Sequence, residues 1–350
     1  MNFSVGIIGL PNVGKSTLFK ALTQQEVNIS NYPFCTIDPN VGVVQVPDER
    51  LNKIAEIIKP QKTTPTIIEF VDIAGLVKGA HKGEGLGNQF LAHIREVDAI
   101  VHVVRSFTDE EIKHVEEGLN VQRDIEIVNT ELTMKDIETI DKHLIKLLSD
   151  VKDTLKKEAK NELEIIQKIR KFLNEGKMIS QIGLNEKEKE TIKHLNFLTS
   201  KPVIYLINSR STDKELEALK YLPENTIPLD LKLELELSEL SQEEIEELKL
   251  RPRINVLIKT CYKVLDLITF YTIKGGEETR AWTAKIGTSA PRAGGIVHTD
   301  FEKKFIRAEV INYKELVEYG SWHNAKTKGL IRTEGKPCIV KDGDVIEFKI

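Results

Sequence analysis

The chain has 350 residues, 30% charged, 40% hydrophobic and 6% aromatic, with Lys plus Arg at 50 against Asp plus Glu at 54 for a formal net charge of -4. That composition is globular and long enough for two or three domains, and it excludes a disordered chain; any nucleic-acid contact must come from a local basic patch. The N-terminus lacks the basic-then-apolar layout of a signal peptide and no apolar run is long enough for a membrane helix, so a cytoplasmic protein with no membrane partner is expected. Cys35, Cys261 and Cys338 lie far apart without C-x-x-C spacing and read as incidental thiols.

Phe3 to Ile8 predicts a short buried strand, and Ser16 to Leu22 has helical spacing. Between them Gly9 to Ser16 reads G-L-P-N-V-G-K-S, a G-x-x-x-x-G-K-[ST] phosphate cradle. The turn allows the backbone N–H groups of Asn12, Val13 and Gly14 to surround phosphate, Lys15 reaches the β- and γ-phosphates, the Ser16 hydroxyl is placed to ligate Mg²⁺, and Thr17 follows on the helix end. Asn31 to Val41 carries two prolines and is a loop, on which Thr36 is the candidate to complete the Mg²⁺ shell.

Thr66 to Asp72 predicts a strand running into D-x-x-G, in which Asp72 holds Mg²⁺ through water and the Gly75 N–H senses the γ-phosphate. The segment Gly79 to Gly87 holds four glycines and reads as a second switch. Leu76 stands where Ras-type enzymes carry the glutamine that orients water, and leucine cannot do this. His81, and His114 beyond the strand Ala99 to Val104, are candidates for that task, with an exposed loop imidazole as the alternative for each.

From Ile125 to Leu155 apolar residues recur at mostly three- and four-residue steps, which predicts one long amphipathic helix. A second stripe runs from Leu163 to Phe172, Gly176 breaks it, and a third helical stretch covers Asn185 to Leu198, so a helical hairpin insertion is expected. It serves equally as structure or as a partner-binding arm. Val203 to Ile207 predicts a buried strand ending on Asn208, a candidate nucleotide-binding residue at the base, and Thr226 to Leu229 another. Guanine-specific enzymes place N-K-x-D at this point. Here the run is Asn208-Ser209-Arg210-Ser211 without the acid, which leaves guanine donors unpaired at a loss of about 1–3 kcal/mol.

The cradle, the loop N-Y-P-F-C-T-I-D-P-N-V-G, the run D-I-A-G-L-V-K-G-A-H-K-G-E-G-L-G-N-x-F-L and the missing N-K-x-D together resemble the Obg-like ATPases of the YchF type over nearly the whole chain. The resemblance implies an Obg-class P-loop fold with a helical insertion, ATP preferred over GTP, and ribosome association. It also implies that His114, where the family has a histidine, is the water-positioning residue. Ser211 departs from the family's N-x-x-E glutamate, and Asp230-Leu231-Lys232 replaces its small Ser-Ala-type loop.

At the C-terminus Leu267 to Ile273, Glu278 to Ala284 and Arg307 to Ile311 predict strands, His298 to Lys304 a helix, and Cys338 to Ile350 two strands joined by a D-G turn. That order suits a β-grasp sheet resembling the TGS module of YchF-type proteins, an RNA- or ribosome-facing unit. Lys303, Lys304, Arg307, Lys326, Lys328 and Arg332 are candidate phosphate contacts, with Trp322 or His323 stacking on a base; a solvated surface with a core tryptophan is the alternative.

The expected protein is α/β: a P-loop NTPase doubly wound sheet (1–120 and 199–265), a helical coiled-coil insertion (121–198) and a C-terminal α+β, β-grasp TGS-like domain (266–350). It is expected to hydrolyse ATP as a Mg²⁺-dependent switch, catalytically through Lys15 and His114, as a cytoplasmic monomer bound to the ribosome. The alternatives are a GTPase in translation or ribosome assembly, and a nucleotide-gated scaffold with incidental hydrolysis.

Overall fold

A computed structural model describes residues 3–24, 38–73, 86–108, 118–153, 157–210, 222–274 and 276–350. Two six-stranded sheets organise the chain, ordered β2-β4-β1-β5-β6-β7 and β11-β10-β12-β8-β9-β3. The strands of the first are β1 (Ser4–Ile8), β2 (Val41–Gln45), β4 (Ile67–Asp72), β5 (Ala99–Arg105), β6 (Val203–Asn208) and β7 (Thr226–Leu229). All run parallel except β2, which is an antiparallel edge. Helices α1 (Lys15–Thr23) and α3 (Leu86–Glu96) supply Leu18, Leu22, Leu91 and Ile94 to its core, and the helix Ile254–Val264 supplies Leu257, Ile258 and the buried Cys261. Covered strands in a parallel sheet need near-continuous apolar residues, which is what β1, β5 and β6 contain.

The insertion is the hairpin α4 (Val121–Asp153) and α5 (Lys157–Asn174), with Ile140 packed against Ile165, Ile166, Ile169 and Leu173. Its root is tied to the sheet by Asp136, fully buried, which accepts from the backbone N–H of Leu198 (2.9 Å) and Thr199 (2.8 Å) and from the Thr199 hydroxyl (2.7 Å). The stretch expected as a helix over Asn185 to Leu198 is shorter. Helix α6 (Glu186–Ile192) passes into a 3-10 turn at Lys193–Leu195 and stops at Asn196, whose φ of 46° is left-handed.

The second sheet holds β8 (Leu267–Lys274), β9 (Glu278–Lys285), β10 (Arg307–Asn312), β11 (Arg332–Glu334), β12 (Asp344–Lys349) and, at its far edge, β3 (Lys62–Thr64). The order β9-β8-β12-β10, with β12 parallel to β8 and helices between β9 and β10, is the β-grasp arrangement. One expectation changes here. Cys338 to Ile350 forms one strand, not two: Val340 N–H donates to Thr288 O and Ile339 bridges Ser289, so this segment pairs with the turn after β9. The helix expected at His298 to Lys304 is present as Thr299–Lys303 with His298 capping it, and a second helix that the sequence did not show, Ala290–Val297, precedes it. Gly294 allows their close approach, since a Cβ there would lie 3.2 Å from Phe301 Cβ and 3.3 Å from Phe348 Cδ1.

Residues 49–64 lie with this second sheet although their neighbours β2 and β4 belong to the first. Helix α2 (Glu49–Ile58) buries Leu51 and Ile54 against Tyr271, Ala281 and Leu316, and β3 pairs in parallel with β9. Arg50 closes the seam, donating to Asp48 (2.8 Å) and to Asp342 (2.6 Å), while Tyr271 OH donates to Asp48 (2.5 Å). Burial works against the Arg50 charge, but these hydrogen bonds outweigh it and hold the guanidinium above its usual pKa.

Candidate functional site

The site lies at the carboxyl end of the parallel sheet, where β1 has one neighbour, β4, on one side and another, β5, on the other; ligands of open α/β sheets bind at such a switch point. The register Ile7↔Asp72 brings the end of β4 beside the start of the loop after β1. That loop turns where sequence predicts it. Gly9 has φ 149° and a Cβ there would lie 2.4 Å from Val103 O, while Gly14 has φ 108° and its Cβ would lie 2.6 Å from Asn208 Nδ2. A side chain at either position would push the loop away from the strand ends it rests on.

Lys15 Nζ donates to the carbonyls of Gly9 (3.2 Å) and Leu10 (2.9 Å), which holds the ammonium over the loop. Ser16 Oγ donates to Asp72 Oδ2 at 3.4 Å. Burial lowers the Lys15 pKa and the Asp72 charge opposes it; burial raises the Asp72 pKa and Lys15 and Ser16 oppose it. Each charge thus stabilises the other at a partly dry edge. Asn12 is exposed with φ 63°, Val13 is buried beneath the loop, and Thr17 is half-buried in the first turn of α1.

Asn208 has a structural part that sequence did not reveal. It is 7% exposed, its Nδ2 donates to Val13 O at 3.0 Å, and its Oδ1 accepts from Leu231 N–H at 3.3 Å. The side chain therefore pins the phosphate loop to the ends of β6 and β7. Asp230, in the altered loop, caps the helix Leu231–Ser238 by accepting from Lys232 and Leu233 N–H, each at 3.1 Å. Arg210 and Arg105 both lie over the Phe107 ring, at 4.5 and 4.7 Å from its centroid. Thr36, Gly75, Leu76, His81, His114 and Ser211 lie outside the described residues.

His102, in the middle of β5, was not singled out by sequence; its only signal is one imidazole in an aliphatic run. It is 1% exposed, and among the described residues neither ring nitrogen has a hydrogen-bond partner. Burial, then the Lys15 charge, push its pKa down to about 3, so it is a neutral side chain of the sheet beneath the loop.

Of the basic residues expected to face RNA, Lys304 pairs with Asp300, Lys326 with Glu309 and Arg332 with Glu334. Lys303, Arg307, Lys328 and His323 are exposed, whereas Trp322 packs against the cluster around Leu316. No helix among the described residues is long and apolar enough to cross a membrane.

Residues 4–209 match the family described as 50S ribosome-binding GTPase, and residues 267–350 match the YchF-GTPase C-terminal family, described as a protein of unknown function. The chain is 46% identical to the ribosome-binding ATPase YchF of Escherichia coli O157:H7, over 99% of each. It is 45% identical to that of Bacillus subtilis, over 100% of this chain and 99% of the relative. The structure of the Schizosaccharomyces pombe YchF GTPase superposes with a TM-score of 0.87 at 38% identity, covering 99% of this chain and 98% of that one. With a cradle, an Asp72 and an Asn208 brace on the same sheet end, the chain belongs to the YchF family.

Proposed function

We propose that the chain is a cytoplasmic ATPase that works as a nucleotide switch on the ribosome. The observation that carries this reading is the convergence of Lys15, Ser16 and Asp72 at one sheet end, with Asn208 joining the phosphate loop to the base side. The full-length relatives named ribosome-binding ATPases support the nucleotide and the partner. Asn208-Ser209-Arg210-Ser211 without an N-K-x-D acid supports ATP over GTP, because the run offers no carboxylate to take the guanine N–H donors.

Mg²⁺ fits these residues: Ser16 Oγ and Asp72 Oδ2 are hard oxygen donors 3.4 Å apart, and such sets suit a cation that keeps waters and takes phosphate oxygens. Ser16 would bind it directly, Asp72 through water and Thr36 on the first switch. When bound it neutralises charge on the β- and γ-phosphates. Lys15, whose ammonium has a third hydrogen beyond the two given to Gly9 and Leu10, contacts those phosphates, the Gly75 N–H reports the γ-phosphate, and His114 orients the attacking water in place of the glutamine that Leu76 replaces. Catalysis by positioning and fixed charge implies slow turnover without a partner.

The division into 1–120 with 199–265, 121–198 and 266–350 belongs to the same reading, with residues 49–64 as a strap reaching the last unit. Lys303, Arg307, Lys328 and His323 are the residues proposed to meet RNA there. ATP hydrolysis by the purified chain, with and without ribosomes and with excess chelator, tests the proposal. Expected is Mg²⁺-dependent turnover that ribosomes change and that His114→Ala lowers. Equal turnover by His114→Ala under every condition would remove His114 from the mechanism, and ribosome association unaffected by loss of nucleotide binding in Lys15→Ala would favour the scaffold reading.

A further inference from the structure

We infer that His143, Glu162 and His194 form a second metal site, for a zinc-class divalent ion, that staples the helical arm. The three residues come from α4, α5 and the 3-10 turn at Lys193–Leu195, and their ligand atoms all lie within 4.8 Å of one another. His143 Nε2 is 2.8 Å and His194 Nε2 is 3.5 Å from the same oxygen, Glu162 Oε1. The two imidazoles stand edge to face with centroids 5.5 Å apart.

The orientation of His194 carries the inference. Its Nδ1 lies 3.0 Å from Thr191 O, and a backbone carbonyl only accepts, so Nδ1 holds the hydrogen. In the neutral ring Nε2 then turns its lone pair toward a carboxylate oxygen, which is another acceptor. At 3.5 Å this contact is longer than a charge-assisted hydrogen bond. Tetrahedral zinc with bonds of about 2.0–2.1 Å separates its ligands by about 3.3 Å. The Nδ1–H to carbonyl bond is also what commonly fixes a metal-binding histidine. His143 joins by moving its ring hydrogen from Nε2 to Nδ1, so no net proton is lost.

Two imidazoles and one carboxylate favour zinc and its transition-metal neighbours over Mg²⁺, which prefers oxygen throughout. The site is thereby distinct from Ser16 and Asp72 in chemistry as well as place. Its open side is at His194, whose side chain is 56% exposed against 19% for His143 and 20% for Glu162, which leaves room for water as a fourth ligand. An ion bound there ties both helices of the hairpin to the turn that follows them, and as a ligand of the folded state alone it stabilises the arm.

The test is titration of the full chain with zinc, followed calorimetrically, and with Co²⁺, followed by visible absorption, in excess Mg²⁺ so that oxygen-only sites are filled. His194→Ala alters an exposed ring, and Glu162→Gln keeps a hydrogen-bonding group for His143. Expected are one equivalent of zinc, a Co²⁺ spectrum of nitrogen and oxygen ligation without a thiolate band, and at least tenfold weaker zinc binding in each variant. No binding by the wild type, equal affinity in wild type and variants, or a thiolate band from a cysteine site would each overturn the inference.

Discussion

In the first sheet β1, β5 and β6 are parallel and buried almost throughout, so function is confined to the loops at their carboxyl ends, and the ring nitrogens of His102 inside it have no hydrogen-bond partner among the described residues. In the second sheet β9 mixes buried residues (Thr279, Ala281, Ala284) with half-exposed and exposed ones, and most neighbouring pairs are antiparallel. Its open edge accepts β3 from the segment between β2 and β4, the strands that flank the expected switches. A mostly parallel sheet buried on both faces concentrates ligand chemistry at one end, whereas a mixed sheet with an accessible edge takes in a distant strand and so joins two parts of the chain. The polar cluster of Thr66, Tyr262 and Thr283 sits on that junction.

Four changes break or sharpen this contrast, the largest at the loop end of the first sheet. Lys15→Ala removes the ammonium held over the cradle and is expected to lower ATP turnover by about 10²–10³-fold while the urea midpoint barely moves; steady-state kinetics beside denaturation separates the two. At the arm root, Asp136→Ala leaves three donors of Leu198 and Thr199 without their acceptor and is expected to cost about 3 kcal/mol, read by urea denaturation.

His102 tests the buried interior of the first sheet. Unfolded, it takes up a proton below about pH 6.5, whereas folded it stays neutral down to about 3. Stability should therefore be undiminished above that window and fall as pH drops through it, by about 2 kcal/mol at pH 5. Comparing urea unfolding at neutral and acid pH should show a shallower loss in His102→Leu; an identical loss would mean the imidazole is hydrated. The smallest effect belongs to the seam of the second sheet, where Arg50→Met should cost about 1 kcal/mol, seen as faster hydrogen exchange in β3 and α2 with turnover nearly unchanged.

The same contrast governs what can be read in advance. The cradle, its strand and its helix were legible because phosphate chemistry fixes residue types at fixed spacing, and α4 because apolar residues keep its period over 33 residues. Strand β3 was not, since Lys62-Thr63-Thr64 is three residues whose pairing is decided by an edge more than 200 positions away. Nor was the helix Ala290–Val297, because Gly294 and Gly295 weaken its propensity and only packing against Phe301 and Phe348 explains the first. Asn208 was singled out for the base, yet its hydrogen bonds to Val13 and Leu231 become visible only once β6 and β7 stand beside the loop.

The central claim is that a sheet end with Asn208 turned inward and no N-K-x-D acid belongs to an ATP-driven switch. A competition titration of ATP against GTP on the purified chain with Mg²⁺ tests it most directly. The account predicts at least a tenfold preference for ATP, about 1.4 kcal/mol. A preference for GTP would contradict it.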